Sequence, residues 1–261
     1  ISTPLYVSIN LSEDFLSNVS FDKNQLFINL LDNLTALDSC IEGYYITLSR
    51  SSDCEYITNK NTILAIFELC YVLGIDLGKK IILNSIDTLS LICMAVGASS
   101  FASGYFNKAK RTFINDYNSD VGGGGALPRF YSQTLLNNFY PYREFKNIYS
   151  LGIISSQSSD NTVLSDSLFK SFDSDSISPE WRESKSNIKT ACNHRFLSLK
   201  NQANEIFNSH NKIDFVSKLL LNAEIYLTYI NQKNNNTFSK YLNHITIWKE
   251  CFNDFIKFHN L

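Results

Sequence analysis

The chain has little of what marks the commonest functional classes. Its six cysteines form no Cys-x-x-Cys pair, and its four histidines come with no His-Glu-x-x-His and no Cys/His array. That pattern excludes a zinc site of ordinary spacing and a disulfide scaffold. Cys40, Cys54, Cys70, Cys93, Cys192 and Cys251 then read as reduced, mostly buried small apolar residues of a cytosolic protein. There is no excess of one charge: 23 Lys+Arg face 25 Asp+Glu, a net −2, which excludes a polybasic chain that holds nucleic acid by bulk charge. No signal peptide is evident, and no apolar run approaches the roughly 18–20 residues of a membrane span. The most apolar stretch, 89–101, is broken by Gly97 and three serines. The chain reads as soluble and cytoplasmic, with no membrane partner. No G-x-G-x-x-G follows the first strand and no G-x-x-x-x-G-K-[ST] occurs, which argues against an open dinucleotide-binding sheet or a P-loop.

What is present is a core-forming composition. The 261 residues are 44% hydrophobic and 13% aromatic, enough to bury a sizeable core, and 33 Ser and 29 Asn supply much of the polar surface. The chain opens on Ile1 in a strand-like run, as an excised segment with material upstream would.

The first hundred residues alternate between two periods. Strands are predicted at 5–9, 43–48, 80–83 and 99–102. Helices are predicted at 21–37 with Ser20 or Asp22 as cap, at 62–73 closed by Gly74 and Gly78, and at 89–96 capped by Asp87 or Thr88 and stopped by Gly97. This alternation predicts βαβ units and a parallel sheet, and the near-continuous apolar strands predict burial of both sheet faces. A polar cluster follows every strand, as a (β/α) barrel requires. Four strands are half a barrel, so the expected fold is α/β: the C-terminal half of a parallel (β/α) barrel over residues 1–114. A Gly/Ser-rich connection with short helices (115–187) and an α-helical C-terminal extension (188–261) follow. Within them helices are expected at 133–139, around 164–172, at 188–207, 212–231 and 237–259, with 154–178 an exposed loop.

Several residues are candidates for chemistry. The strand ends carry Asn10, Glu13, Asp14, Arg50, Asn84, Asp87, Ser103 and Arg111, which a barrel would gather at one mouth. Asp87 is the one best placed to be a helix cap instead. The loop 103–111 holds Lys108, Lys110 and Arg111; loops after the last barrel strands often cradle phosphate, Arg111 can clamp a phosphodiester and Tyr105 can stack a base. Four glycines at 122–125 precede Pro128 and Arg129, a hinge or an anion nest. Cys192 and His194 lie two apart on a predicted helix and point to different faces, so they form no catalytic dyad; His194 reads as a structural hydrogen-bonding residue. The ligand-binding candidates are therefore Asn10, Arg50, Asn84, Asp87, Ser103, Tyr105, Lys108, Arg111 and Arg129. No catalytic residue, metal ligand or cofactor is assigned.

The stretch 79–111 is similar to the last two βα units of a TIM barrel: Lys79-Lys80-Ile81-Ile82-Leu83-Asn84-Ser85, then Met94-Ala95-Val96-Gly97-Ala98-Ser99-Ser100-Phe101-Ala102-Ser103-Gly104. With Asn193-His194-Arg195-Phe196 downstream, it resembles the tRNA-guanine transglycosylase-like barrels over about half the chain. The resemblance implies a nucleophilic Asp after the strand Phe and a zinc held by three Cys and one His. This chain has Ala102 in the first place. In the second it has only His194, with serines through 153–160. The resemblance thus implies a catalytically degenerate relative.

Two functions follow. The first is nucleic-acid or nucleotide handling at the barrel mouth, with DNA or RNA as partner. The second is a non-catalytic interaction subunit that presents the aromatics Phe130, Tyr131, Phe139, Tyr140 and Tyr142 to a protein partner, or pairs with a first half-barrel. A Schiff-base lyase ranks last, because no Lys ends a strand.

Overall fold

The computed structural model describes residues 3–37, 40–106, 110–113 and 126–261. Lys108 and the glycines 122–125 lie outside the described residues. The chain divides into two compact units. One comprises Ile1–Asp120, Ile206–Ser217 and Ile247–Leu261; the other comprises Val121–Glu205 and Lys218–Thr246.

The first unit is built on four parallel strands in the order β1-β2-β3-β4: Leu5–Ser12, Ile41–Ser49, Lys80–Asn84 and Ser100–Ala102. Among the described residues the sheet is open and does not close into a barrel. Between the strands come α1 (Glu13–Ser17), α2 (Gln25–Thr35), α3 (Lys60–Cys70) and α4 (Leu89–Cys93). Asn24 caps α2 by accepting from the amides of Leu26 and Phe27, in place of the expected Ser20 or Asp22. Asn59 caps α3, whose end relaxes into a π-helical turn, Tyr71–Asp76. Gly74 and Gly97 are required there: a Cβ on Gly74 would meet the Gly97 carbonyl oxygen at 2.3 Å, and one on Gly97 would meet the Cys70 carbonyl oxygen at 2.2 Å.

The register explains which strand residues do what. Ile46 pairs with Ile9 and Leu83, and Leu48 with Leu11. Ile46, Leu83, Leu48 and Leu11, with Tyr44 and Ile81, are buried on the face that the helices cover, and Ile9 on the same face is half-buried. The other face carries the rows Ser8, Tyr45, Ile82, Ser100 and Asn10, Thr47, Asn84, Ala102. It is half-buried to exposed. The expectation of burial on both faces is therefore corrected. On this face β1 presents Ser8, Asn10 and Ser12 and β2 presents Tyr45, Thr47 and Ser49, all of which carry a polar group, and such a face can stay in water. Residues 247–261, from the end of the last helix, pack on α3: Trp248 Nε1 donates to the Ile57 carbonyl at 2.7 Å, and Phe67 lies edge to face with Phe252 and Phe255.

The second unit holds an antiparallel hairpin, β5 (Phe130–Ser132) with β6 (Asn137–Phe139), then α5 (Lys146–Ser150) and α6 (Asp166–Asp173). It also takes most of α7 (Ile188–Asn208), α8 (Lys212–Lys233) and the start of α9 (Ser239–His259). The helix expected over 133–139 is a turn and a strand, with Leu136 in the left-handed region at φ 52°. Phe130, Tyr131 and Phe139 are fully buried. Phe130 stacks on Phe145 and on His194, with ring centroids 4.1 and 4.4 Å apart. These aromatics form the unit's core and are not a surface for a partner. The segment 154–178 is no exposed loop either: Ile154, Asp160, Ser165, Leu168 and Phe169 are buried.

Candidate functional site

Parallel strands bring their carboxyl ends to one edge of the sheet, and that edge collects most of the candidates. Asn10 and Asn84 share one register row with Thr47, whose hydroxyl accepts from Asn84 Nδ2 at 3.3 Å. Arg50 follows β2 directly and Ser103 follows β4. Thr112 ties the edge together: its carbonyl accepts from the Arg50 amide at 2.6 Å, and its hydroxyl meets that of Ser85 at 2.7 Å.

Most of the described charged groups here are matched in place. Arg50 is buried; its Nε donates to Glu13 Oε2 at 3.0 Å, and its Nη2 reaches the carbonyls of Cys54 and Tyr56. The same Glu13 oxygen accepts from the Ser51 amide and hydroxyl. Asp87 makes no side-chain cap to α4; its carboxylate accepts from Ser103 at 2.6 Å and lies 4.0 Å from Lys110 Nζ. Its backbone is left-handed, φ 52°, and Thr88 occupies the cap position. Lys110 also meets Glu55 at 3.3 Å. Arg111 donates to the Asp53 carbonyl and lies over the Phe113 ring, 5.5 Å from its centroid. Ser85, at φ 65°, is a second left-handed residue in the loop after β3; such strain is retained only where surrounding contacts impose it. Tyr105 is buried against Phe106.

At this edge lies an open cleft of about 430 Å³, lined by Asn10, Ser12, Asp14, Ser49, Arg50, Ser51 and Phe113. Ser12, Ser49, Ser51 and Phe113 were not singled out from the sequence. Ser49 is readable from its alternation with Leu48, but Phe113 carries no local signal. Arg129 belongs to the second unit, where it lies over the Tyr140 ring at 4.7 Å.

The second unit has its own polar cluster, and all of it is internal. His194 Nε2 donates to the Tyr131 carbonyl at 2.9 Å, and its Nδ1 accepts from the Thr162 hydroxyl at 3.0 Å. Burial holds the ring's pKa down at about 4, so it is neutral near pH 7. Arg195 is buried over the Tyr131 ring and donates to Asn138 Oδ1 at 3.1 Å. Tyr131 Oη donates to Gln202 Oε1 at 2.8 Å. Asp160 is buried, accepts from Thr134, and has its carboxyl pushed up by desolvation. These residues do not fit the zinc centre that the resemblance implies. Both His194 nitrogens are already engaged, and the described residues contain no group of three or more His, Cys, Asp or Glu able to hold a metal ion. Among the described residues no helix is long and apolar enough to cross a membrane. Compared with known proteins, the chain matches no family, no curated protein and no solved structure.

Proposed function

We propose that the chain is half of a (β/α) barrel whose carboxyl edge binds a nucleoside or nucleotide, free or within DNA or RNA, without exchanging its base. One observation carries the reading: the cleft combines short hydrogen-bonding side chains, Asn10, Ser12, Asp14, Ser49 and Ser51, with one aromatic ring, Phe113. Sugar hydroxyls and base edges need such donors and acceptors, and a base needs a flat apolar partner, worth about 1–3 kcal/mol when it stacks. The pairing of Arg50, Lys110 and Arg111 with Glu13, Glu55, Asp87 and the Asp53 carbonyl favours the uncharged part of the ligand over a polyphosphate. Ala102 ends β4 with a methyl group, which offers no nucleophile.

The test is calorimetric titration with nucleosides, nucleoside monophosphates and short single-stranded DNA and RNA at several salt concentrations. Binding with a shallow salt dependence, weakened ~10-fold or more by Phe113→Ala, is expected. A steep salt dependence, or no loss in Phe113→Ala, would overturn it. Absence of binding by every probe would favour the non-catalytic subunit, a reading supported by the outer edge of β1, which no described residue bonds.

A further inference from the structure

β1 bonds β2 along one side only, and no described residue bonds its other side. The strand is eight residues long, Leu5–Ser12, and contains no charge and no proline. Charges, prolines and short length are the usual means of blunting an edge; without them the outward N–H and C=O groups of alternate residues form a template for another strand. Apolar surface is uncovered along the same line. On the helix-covered face Ile46, Leu48, Ile81 and Leu83 are buried, yet Val7 and Ile9 are only half-buried and Leu5 is 54% exposed.

We propose that a second copy of this chain covers the edge, by antiparallel pairing of β1 with β1 across a two-fold axis through Ser8. The strand's own pattern selects both occupant and register. Residues directly opposite in an antiparallel pair share a face. A dyad at Ser8 sets Val7 against Ile9 of the second copy and Leu5 against its Leu11, all on the helix-covered face. On the open face it sets Tyr6 against Asn10 and Ser8 against Ser8. A slip of one residue between the strands would oppose Ser8 to Ile9 and mix the faces. A dyad at Ile9 keeps the faces but leaves Leu5 beyond the pairing. An uncharged strand meets itself without like-charge repulsion. The contact is isologous, and it joins two four-stranded sheets into one continuous sheet. The proposal does not depend on what the cleft binds, but it assigns the β1 edge to a second copy in place of a first half-barrel.

The test uses the full chain in analytical ultracentrifugation over a wide concentration range. The wild type is expected to dimerise. Ser8 is exposed, so Ser8→Lys and Ser8→Glu leave the fold intact by circular dichroism. Each places like charges opposite each other and is expected to weaken dimerisation at least ~10-fold. An equimolar mixture of the two variants is expected to recover the dimer, because the dyad then opposes Lys to Glu. Amide exchange of 5–12 in the wild type is expected to slow as concentration rises, a readout that needs no variant. A wild type monomeric to the high micromolar range, concentration-independent exchange at β1, or a mixture no tighter than either variant alone would overturn the proposal.

Discussion

The two units spend the same kinds of side chain on opposite problems. In the first, four paired strands and their helices satisfy most of the backbone apart from the outer edge of β1, so serines and asparagines are left over on an open sheet face and at its carboxyl edge. In the second, β5 and β6 are three residues each and 151–187 holds little regular structure. Side chains must therefore bond the backbone directly. Gln133 Nε2 donates to the Ser159 carbonyl, Gln202 Nε2 to that of Gln133, and Asn187 Nδ2 to those of Pro179 and Arg182. Trp181 Nε1 donates to the Leu164 carbonyl, and the Ser178 amide donates to Tyr142 Oη. Polar residues are thus left at the surface where secondary structure is regular, and bond the backbone where it is not.

The chain's two tryptophans allow this contrast to be broken experimentally, since Trp181 lies in the second unit and Trp248 in the first. Trp248→Phe and Trp181→Phe backgrounds each leave one reporter for fluorescence-detected unfolding. The largest effect is expected from Arg195→Ala, which strips a fully buried cation from Tyr131 and Asn138. It should cost about 3–5 kcal/mol at the Trp181 signal, as truncation of a large buried side chain with its hydrogen bonds does.

Acid should act on the same unit. His194 has a folded pKa of about 4, below its ordinary 6.5. Between those values the unfolded chain takes up a proton that the folded one refuses. Stability is therefore full above pH 6.5 and falls as pH drops toward 4, by about 3 kcal/mol in all. His194→Gln should remove that slope; an unchanged slope would show that another group titrates.

In the first unit, Glu13→Gln uncouples the buried Arg50 and should cost about 1–3 kcal/mol at the Trp248 signal. The smallest effect sharpens the comparison most. Ser85→Gly relieves a left-handed backbone but loses the hydroxyl contact to Thr112, so denaturant unfolding should shift by no more than about 1 kcal/mol.

Much of the first unit was legible. The four strands and their order of appearance follow from apolar runs closed by polar clusters. The placement of Asn10, Arg50, Asn84 and Ser103 at one edge follows from parallel strands alone. Local pattern failed where two structures share a spacing. Leu135, Leu136 and Phe139 fit a helix face, yet they are the turn and return strand of a hairpin. Asp87 stands where a cap belongs, but Ser103 and Lys110, 16 and 23 residues later, claim its carboxylate. The serines of 154–178 look solvated because nothing local shows which carbonyls they will meet.

By itself the amino-acid sequence determined the period of the first unit's strands and helices, and so the parallel α/β sheet, together with the three long C-terminal helices and the charge balance. These depend on contacts within a few residues, or on side chains falling to one face. Only the tertiary structure decided that Arg50 and Lys110 are matched by Glu13 and Glu55, that Phe113 joins the cleft, and that Phe130 and His194 are core. Each of those outcomes depends on partners far apart in the chain, whose meeting is set by packing and not by local propensity.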